Sequence, residues 1–165
     1  MTTSALPIRL FATLFLFWLL LTGAPTPSGV MVGLVVAAGI AWLFQGNLSY
    51  LSGYRLSVAS FIATVGFIGY FLKALVRSNL DMARVVLSPA LPIDPAIVKV
   101  RTGLTDPVAR LLLANVITLT PGTLTVEMEG EWLFVHWVVA RSTDPEIATR
   151  EIVSGFERYL EKMYD

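Results

Sequence analysis

The 165-residue chain contains no cysteine, which excludes disulfides, thiol catalysis and thiolate metal sites. It contains one histidine, His136, so a histidine-rich metal centre is excluded as well. Charge is scarce: 15% of residues are charged and 55% are hydrophobic, whereas a soluble domain carries about 25% charged residues. The scarcity is also one-sided. All 12 acidic residues lie from Asp81 onward, and the first 80 residues carry only Arg9, Arg55, Lys73 and Arg77 as charged groups. From Asp81 the chain has 8 basic and 12 acidic residues, a formal charge of −4. Nucleic-acid binding needs a basic face to neutralise phosphates, so this acidic tail argues against it. The composition predicts a membrane protein in three parts: a transmembrane region over 1–79, an interfacial helix and linker over 80–94, and a cytoplasmic domain over 95–165.

What the first half has instead of charge is apolar length. Residues 8–21, 30–48 and 56–76 form three apolar stretches. A membrane-spanning helix needs about 20 apolar residues to cross a core of about 30 Å. The third stretch meets that length; the first is short and needs a thin bilayer, protein neighbours or flanking residues. The linker 23–29 can only reverse the chain, so the first two stretches are expected as a short hairpin and all three as transmembrane helices. A cleaved signal peptide is the rival for the first stretch, but the cut would fall just before Pro25, which peptidases tolerate poorly. Small residues recur at Gly33, Ala37, Ala38 and Ala41, and again at Ala59, Ala63, Gly66 and Gly69. Such faces let helix backbones approach in lipid, either within this chain or against other subunits.

Ion conduction through the membrane normally needs ionisable groups within it. These stretches contain no Asp, Glu or His, and Lys73 stands one turn from Arg77 at a helix end, from which it can snorkel to the interface. The chain is not expected to carry ions by itself. With three crossings, Arg9 and Arg55 share one side while Lys73, Arg77 and Arg84 lie on the other, and that bias points the tail into the cytoplasm.

The tail reads as strand, helix, strand, strand, helix (β-α-β-β-α), a small α+β domain. Residues 77–87 continue the third helix, with Asp81 placed to pair with Arg77 at four residues and Arg84 at three. The prolines of 88–95 end it. A strand follows at 96–101. Asp106-Pro107 and Asp144-Pro145 are matching helix starts, an Asp cap followed by Pro. The first helix, 107–119, is apolar nearly all round and is expected to be buried on more than one side. The second, 145–163, is amphipathic. Between them, 123–128 alternates as a half-buried strand, Gly130 centres a tight turn, and 132–139 is apolar on both faces, as a central or doubly covered strand would be.

No catalyst emerges from this unit. Thr118, Thr120, Thr123 and Thr125 form a hydroxyl array with no base nearby. Pro121-Gly122 lacks the glycine spacing of a phosphate loop and reads as a turn. His136 shares a strand face with Trp132 and Phe134, the setting of a packed or hydrogen-bonding histidine. Asn115 is expected to anchor backbone near the turn. No cofactor and no metal ligand set is called for.

The run "ANVITLTPGTLTVEMEGEWLFVHW", 114–137, resembles the E subunit of the Mrp-type (Mnh, Sha) multisubunit sodium/proton antiporters. Asn115, Thr118, Leu119, Thr120, Pro121, Gly122, Thr123, Val135 and His136 match that family's pattern, while Val116 stands where the family often has Ser. The resemblance implies a secondary transport complex in which large subunits carry the buried ionisable groups. The E subunit would be an accessory part, with other subunits and membrane lipid as partners. Asn115, Thr118, Thr120, Pro121, Gly122, Thr123 and His136 would then serve structure or docking, and Lys73, Arg77, Asp81 and Arg84 the membrane interface. Two other classes remain open: a membrane-anchored adaptor recruiting cytoplasmic proteins through its acidic tail, and an autonomous small transporter dependent on Lys73.

Overall fold

The computed structural model describes residues 8–23, 26–44, 53–55 and 57–164, the side chain of Arg9 excepted. The chain divides into two compact units, Met1–Ser52 and Gly53–Asp165. The far end of the second apolar stretch (45–48), the loop that follows it and the peptide bond beside Pro25 lie outside the described residues.

The first unit contains α1 (Ile8–Thr22) and α2 (Pro27–Leu43) packed as a hairpin. Thr26 caps α2 by accepting from the Gly29 N–H at 3.2 Å, with Pro27 at the first helical position. The Trp18 indole N–H donates to the Gly29 carbonyl at 3.0 Å. Its ring lies against Gly33 so closely that a Cβ there would clash. Gly33, Ala37 and Ala41 are the buried residues of α2, at four-residue spacing. The expected small-residue face of the second stretch therefore closes on its own hairpin, while Phe17, Leu20, Leu21, Val35, Trp42 and Leu43 stay exposed.

The second unit begins with α3 (Val58–Leu87), capped by Ser57, whose hydroxyl accepts from the Ser60 N–H at 3.0 Å. It is one continuous helix through Leu87, as the sequence predicts, and among the described helices it alone has the length and composition of a membrane span. One side of its first half belongs to the tail core. Ser60, Ala63 and Phe67 are buried, the Ser60 hydroxyl donates to the Lys162 carbonyl at 3.2 Å, and Gly66 lies under the Tyr159 ring. Phe67 and Tyr70 meet Phe156 edge-on, at 6.3 and 5.0 Å between ring centroids. The packing boundary therefore falls at Gly53, whereas charge divides the chain at residue 80. Charge composition cannot register a contact made by small and aromatic residues.

After the linker come β1 (Ala96–Arg101), α4 (Pro107–Leu119), β2 (Thr123–Glu129), β3 (Trp132–Trp137), α5 (Pro145–Ile152) and α6 (Ser154–Tyr164). The sheet is antiparallel in the order β1-β3-β2, with β3 central as its two-faced apolarity predicts. Val98, Val100, Leu133 and Val135 turn to the core, which the helices fill with Ala109, Leu113, Ile117, Ile152, Val153, Phe156 and Leu160. A register shift between Thr125 and Glu127 marks a bulge in the edge strand β2. Both Asp–Pro starts form as expected: Asp106 accepts from the Val108 and Ala109 N–H groups, and Asp144 from those of Glu146 and Ile147.

Two expectations are corrected. The helix expected over 145–163 is two helices, broken at Val153. The Ser154-Gly155 pair follows the break, and the Tyr70 hydroxyl presses on Gly155 where a Cβ would otherwise sit. Nor is the apolar side of β2 buried: Leu124, Val126 and Met128 are exposed, although their alternation predicts a half-buried strand. Helix α4 is buried on more than one side, as expected. It packs on the sheet and α6, leaving Leu111, Asn115, Thr118 and Leu119 exposed.

Candidate functional site

The segment 120–123 is the turn from α4 into β2, and threonines tie it down. The Thr120 hydroxyl donates to the Val116 carbonyl at 2.8 Å, and the Thr123 hydroxyl to the carbonyls of Ile117 and Thr120 at 2.6 and 2.9 Å. The Thr125 N–H donates to the Thr118 hydroxyl at 3.1 Å, and the Thr125 hydroxyl to the Ala114 carbonyl at 3.1 Å. Carbonyls in the last turn of a helix lack intrahelical donors, so several of these bonds finish α4. Gly122 has φ +96, the left-handed region that favours glycine, and Met82 of α3 rests against it. Its carbonyl accepts from the Val138 N–H at 2.9 Å. The threonine hydroxyls thus tie the turn to the end of α4.

This turn forms one wall of a cavity of about 600 Å³ between α3 and the tail. Apolar side chains line it, including Met82, Ile117, Trp137, Ile152 and Phe156. Lys73, Arg77, Asp81, Arg141 and Glu151 supply its charges. Asp81 takes its shortest contact, 2.6 Å, from Arg84, and a looser one of 3.8 Å from Arg77. Arg141 and Glu151 stand 3.7 Å apart. Lys73 is exposed and has neither a hydrogen bond nor an ion pair among the described residues.

The structure therefore brings Thr120, Pro121, Gly122 and Thr123 together with Lys73, Arg77 and Asp81. Arg84 belongs to a shallower groove along α3 with Leu72, Val76 and Leu80; that groove shares Lys73, Arg77 and Asp81 with the cavity. Asn115 and His136 stand elsewhere. Asn115 is exposed and has no hydrogen bond among the described residues, unlike the anchor expected of it, because the face of α4 that carries it points away from the sheet. His136 is half-buried on the sheet face opposite Leu133 and Val135, paired across the strands with Ile97 and Leu124. Sequence reasoning missed Met82, Trp137, Arg141 and Glu151, which come from four separate elements and loops and share no motif. Away from the cavity, burial raises the Tyr164 phenol above its ordinary value of 10.0, and the nearby Asp106 and Tyr54 add to the effect.

The pattern of the MNHE family, described as a Na+/H+ ion antiporter subunit, matches residues 11–163. The chain belongs to this family. The resemblance first visible in 114–137 thus extends over nearly the whole length. The E subunit of the Na(+)/H(+) antiporter of Alkalihalophilus pseudofirmus is 29% identical over 158 residues, covering 94% of this chain and 96% of its own. The E subunit of a probable K(+)/H(+) antiporter of Rhizobium meliloti is 32% identical over 117 residues, 70% of either chain. Among solved structures, a chain of the membrane-bound sulfane sulfur reductase, an archaeal respiratory membrane complex, aligns with a TM-score of 0.80 at 35% identity, covering 93% of this chain and 95% of its own. As a member of this family of antiporter subunits, the chain is a component of membrane cation transport.

Proposed function

We propose that the chain is an accessory, non-catalytic subunit that supports the assembly and stability of a multisubunit sodium/proton antiporter, with its tail in the cytoplasm. One observation carries this reading. One side of α3 is committed to the tail core, while Phe61, Val65, Ile68, Leu72, Val76 and Leu80 on the other side are exposed. A soluble monomer rarely leaves a contiguous apolar stripe of that length open, so the stripe needs protein or lipid against it. The lack of acidic residues before Asp81 adds support, because a conducting chain needs such groups within the membrane.

The packing of α6 bears on topology. Arg158, Glu161 and Lys162 are exposed on α6, which lies along the first half of α3, the part expected to cross the bilayer. A charge at the centre of the hydrocarbon costs about 3 kcal/mol, so three together approach the stability of a small domain, about 5–15 kcal/mol. This favours two crossings, by α1 and α2, over the three that hydropathy suggests, with α3 lying along the membrane or a partner. Two crossings also place Arg9, Arg55, Lys73, Arg77 and Arg84 all on one side, and the short α1–α2 turn has no basic residue. That distribution fits the positive-inside rule better than the division of two against three. The chain lacks cysteine, so single cysteines introduced at either end report sidedness cleanly. Two crossings expose both ends to the cytoplasm, and three place them on opposite sides.

A C-terminal tag and mild solubilisation of native membranes test the functional reading. Co-purification with large polytopic subunits at fixed stoichiometry is expected. Recovery of the chain alone as a stable species would overturn it and leave the membrane-anchored adaptor.

A further inference from the structure

The cavity beside the motif turn combines features that the accessory role does not use. Its floor is apolar, with Ile117, Ile152 and Phe156 buried and Trp137 half-buried. Its charged lining has three cations, Lys73, Arg77 and Arg141, against two acids, Asp81 and Glu151. The acids are poor neutralisers of those cations. Asp81 is held most closely by Arg84, which lies outside the cavity, and Arg77 and Arg141 have contacts of 3.8 and 3.7 Å only. Lys73 has no partner among the described residues, although its neighbours Leu72, Val76 and Leu80 are exposed and apolar.

We infer that this cavity binds an anionic phospholipid. The phosphate sits between Lys73, Arg77 and Arg141, and an acyl chain lies on the Trp137–Phe156 floor or in the adjoining α3 groove. Three arguments select a lipid as the occupant. The lining carries more cations than acids and Lys73 has no partner among the described residues, so an anion is called for, and an ammonium gains a charge-assisted hydrogen bond from a phosphate oxygen. The apolar floor gains nothing from a free inorganic anion but gains about 25 cal/mol for each Å² it buries against an acyl chain. The groove that shares Lys73, Arg77 and Asp81 with the cavity opens onto the apolar stripe of α3, which provides a route of entry from the bilayer. Thr120, Pro121, Gly122 and Thr123 then act as the wall that keeps the cavity open. This inference rests on the membrane-subunit reading above.

The test uses the intact complex, purified through a tag on this chain, and a photoreactive phosphatidylglycerol, with photoreactive phosphatidylcholine as the neutral control. Cross-linked peptides are mapped by mass spectrometry. Phosphatidylglycerol adducts are expected on peptides spanning 73–85 and 137–141, in excess of those from phosphatidylcholine and unaffected by added inorganic phosphate at constant ionic strength. Removing two cations in Lys73→Gln/Arg141→Gln should reduce these adducts about thirtyfold at limiting lipid. The exposed Arg150→Gln control should leave them unchanged. Both residues of the double variant are exposed, and equal recovery of partner subunits verifies that it is folded and assembled. Equal labelling by the two lipids, competition by inorganic phosphate, or undiminished labelling in the double variant would each overturn the inference. None of these outcomes alters the co-purification result, so the accessory role stands or falls separately.

Discussion

The two compact units solve the same packing problem in opposite ways. In the α1–α2 unit the buried residues of α2, Gly33, Ala37 and Ala41, are all small, and large side chains such as Val35, Trp42 and Leu43 are exposed. In the tail large residues are buried as well as small ones, with Leu104, Leu113, Ile117, Leu133 and Leu160 enclosed beside Ala109 and Ala148. Water drives large apolar side chains inward at about 25 cal/mol per Å² buried. Lipid offers no such drive, so helices associate there through close backbone approach and a few polar contacts. The Trp18–Gly29 hydrogen bond is one such contact. The contrast argues that the units fold against different solvents, and α3 carries both patterns on its two sides.

Variants can test this contrast. The largest effect is expected from Leu133→Ala in the central strand, at about 2–5 kcal/mol, measured by urea unfolding followed through Trp132 and Trp137 emission. A loss below that range would mean that the tail core is not its main source of stability. Gly33→Leu should cost about 1–3 kcal/mol by overpacking, and it should separate α1 from α2. Emission from Trp18 as the sole tryptophan would shift on losing its Gly29 partner; an unchanged spectrum would mean that close approach does not hold the hairpin. Asp106→Ala should cost about 1 kcal/mol through two lost capping bonds, in the same unfolding assay. The smallest effect concerns alkaline pH. The Tyr164 phenol is raised in the folded state, so its contribution is complete below the ordinary value and is lost as pH rises through the folded one. Tyr164→Phe should flatten that alkaline decline, and an unchanged slope would assign the decline to other groups.

Much of the tail was legible because its signals are local. The two Asp–Pro starts and the β-branched run of β1 each depend on adjacent residues, whereas the alternation of β2 located the strand but not its inner face. The Arg77–Asp81–Arg84 pairing was legible for the same reason, following from helix spacing alone. The misses depend on distant partners. The α5–α6 break is legible only once Tyr70 is known to press on Gly155, 85 positions on. Ala63 reads as part of a small-residue face for packing between membrane helices, and only the fold lays α6 against it together with Ser60 and Phe67. The apolar character of α4 concealed which side meets the sheet, and so Asn115 was misjudged. The run at 114–137 pointed to the family, but the cavity was not legible, since Arg141 and Glu151 reach it from outside that run.

The most direct test of the account is to replace Ile68 and Leu72, exposed on the α3 stripe, with glutamate in the tagged chain and measure partner subunits recovered per copy. The tail core does not use these side chains, so the chain should stay folded and membrane-bound while its yield of partner subunits collapses. Undiminished recovery of partners would leave lipid as the cover of the α3 stripe and contradict a part for it in holding the complex together.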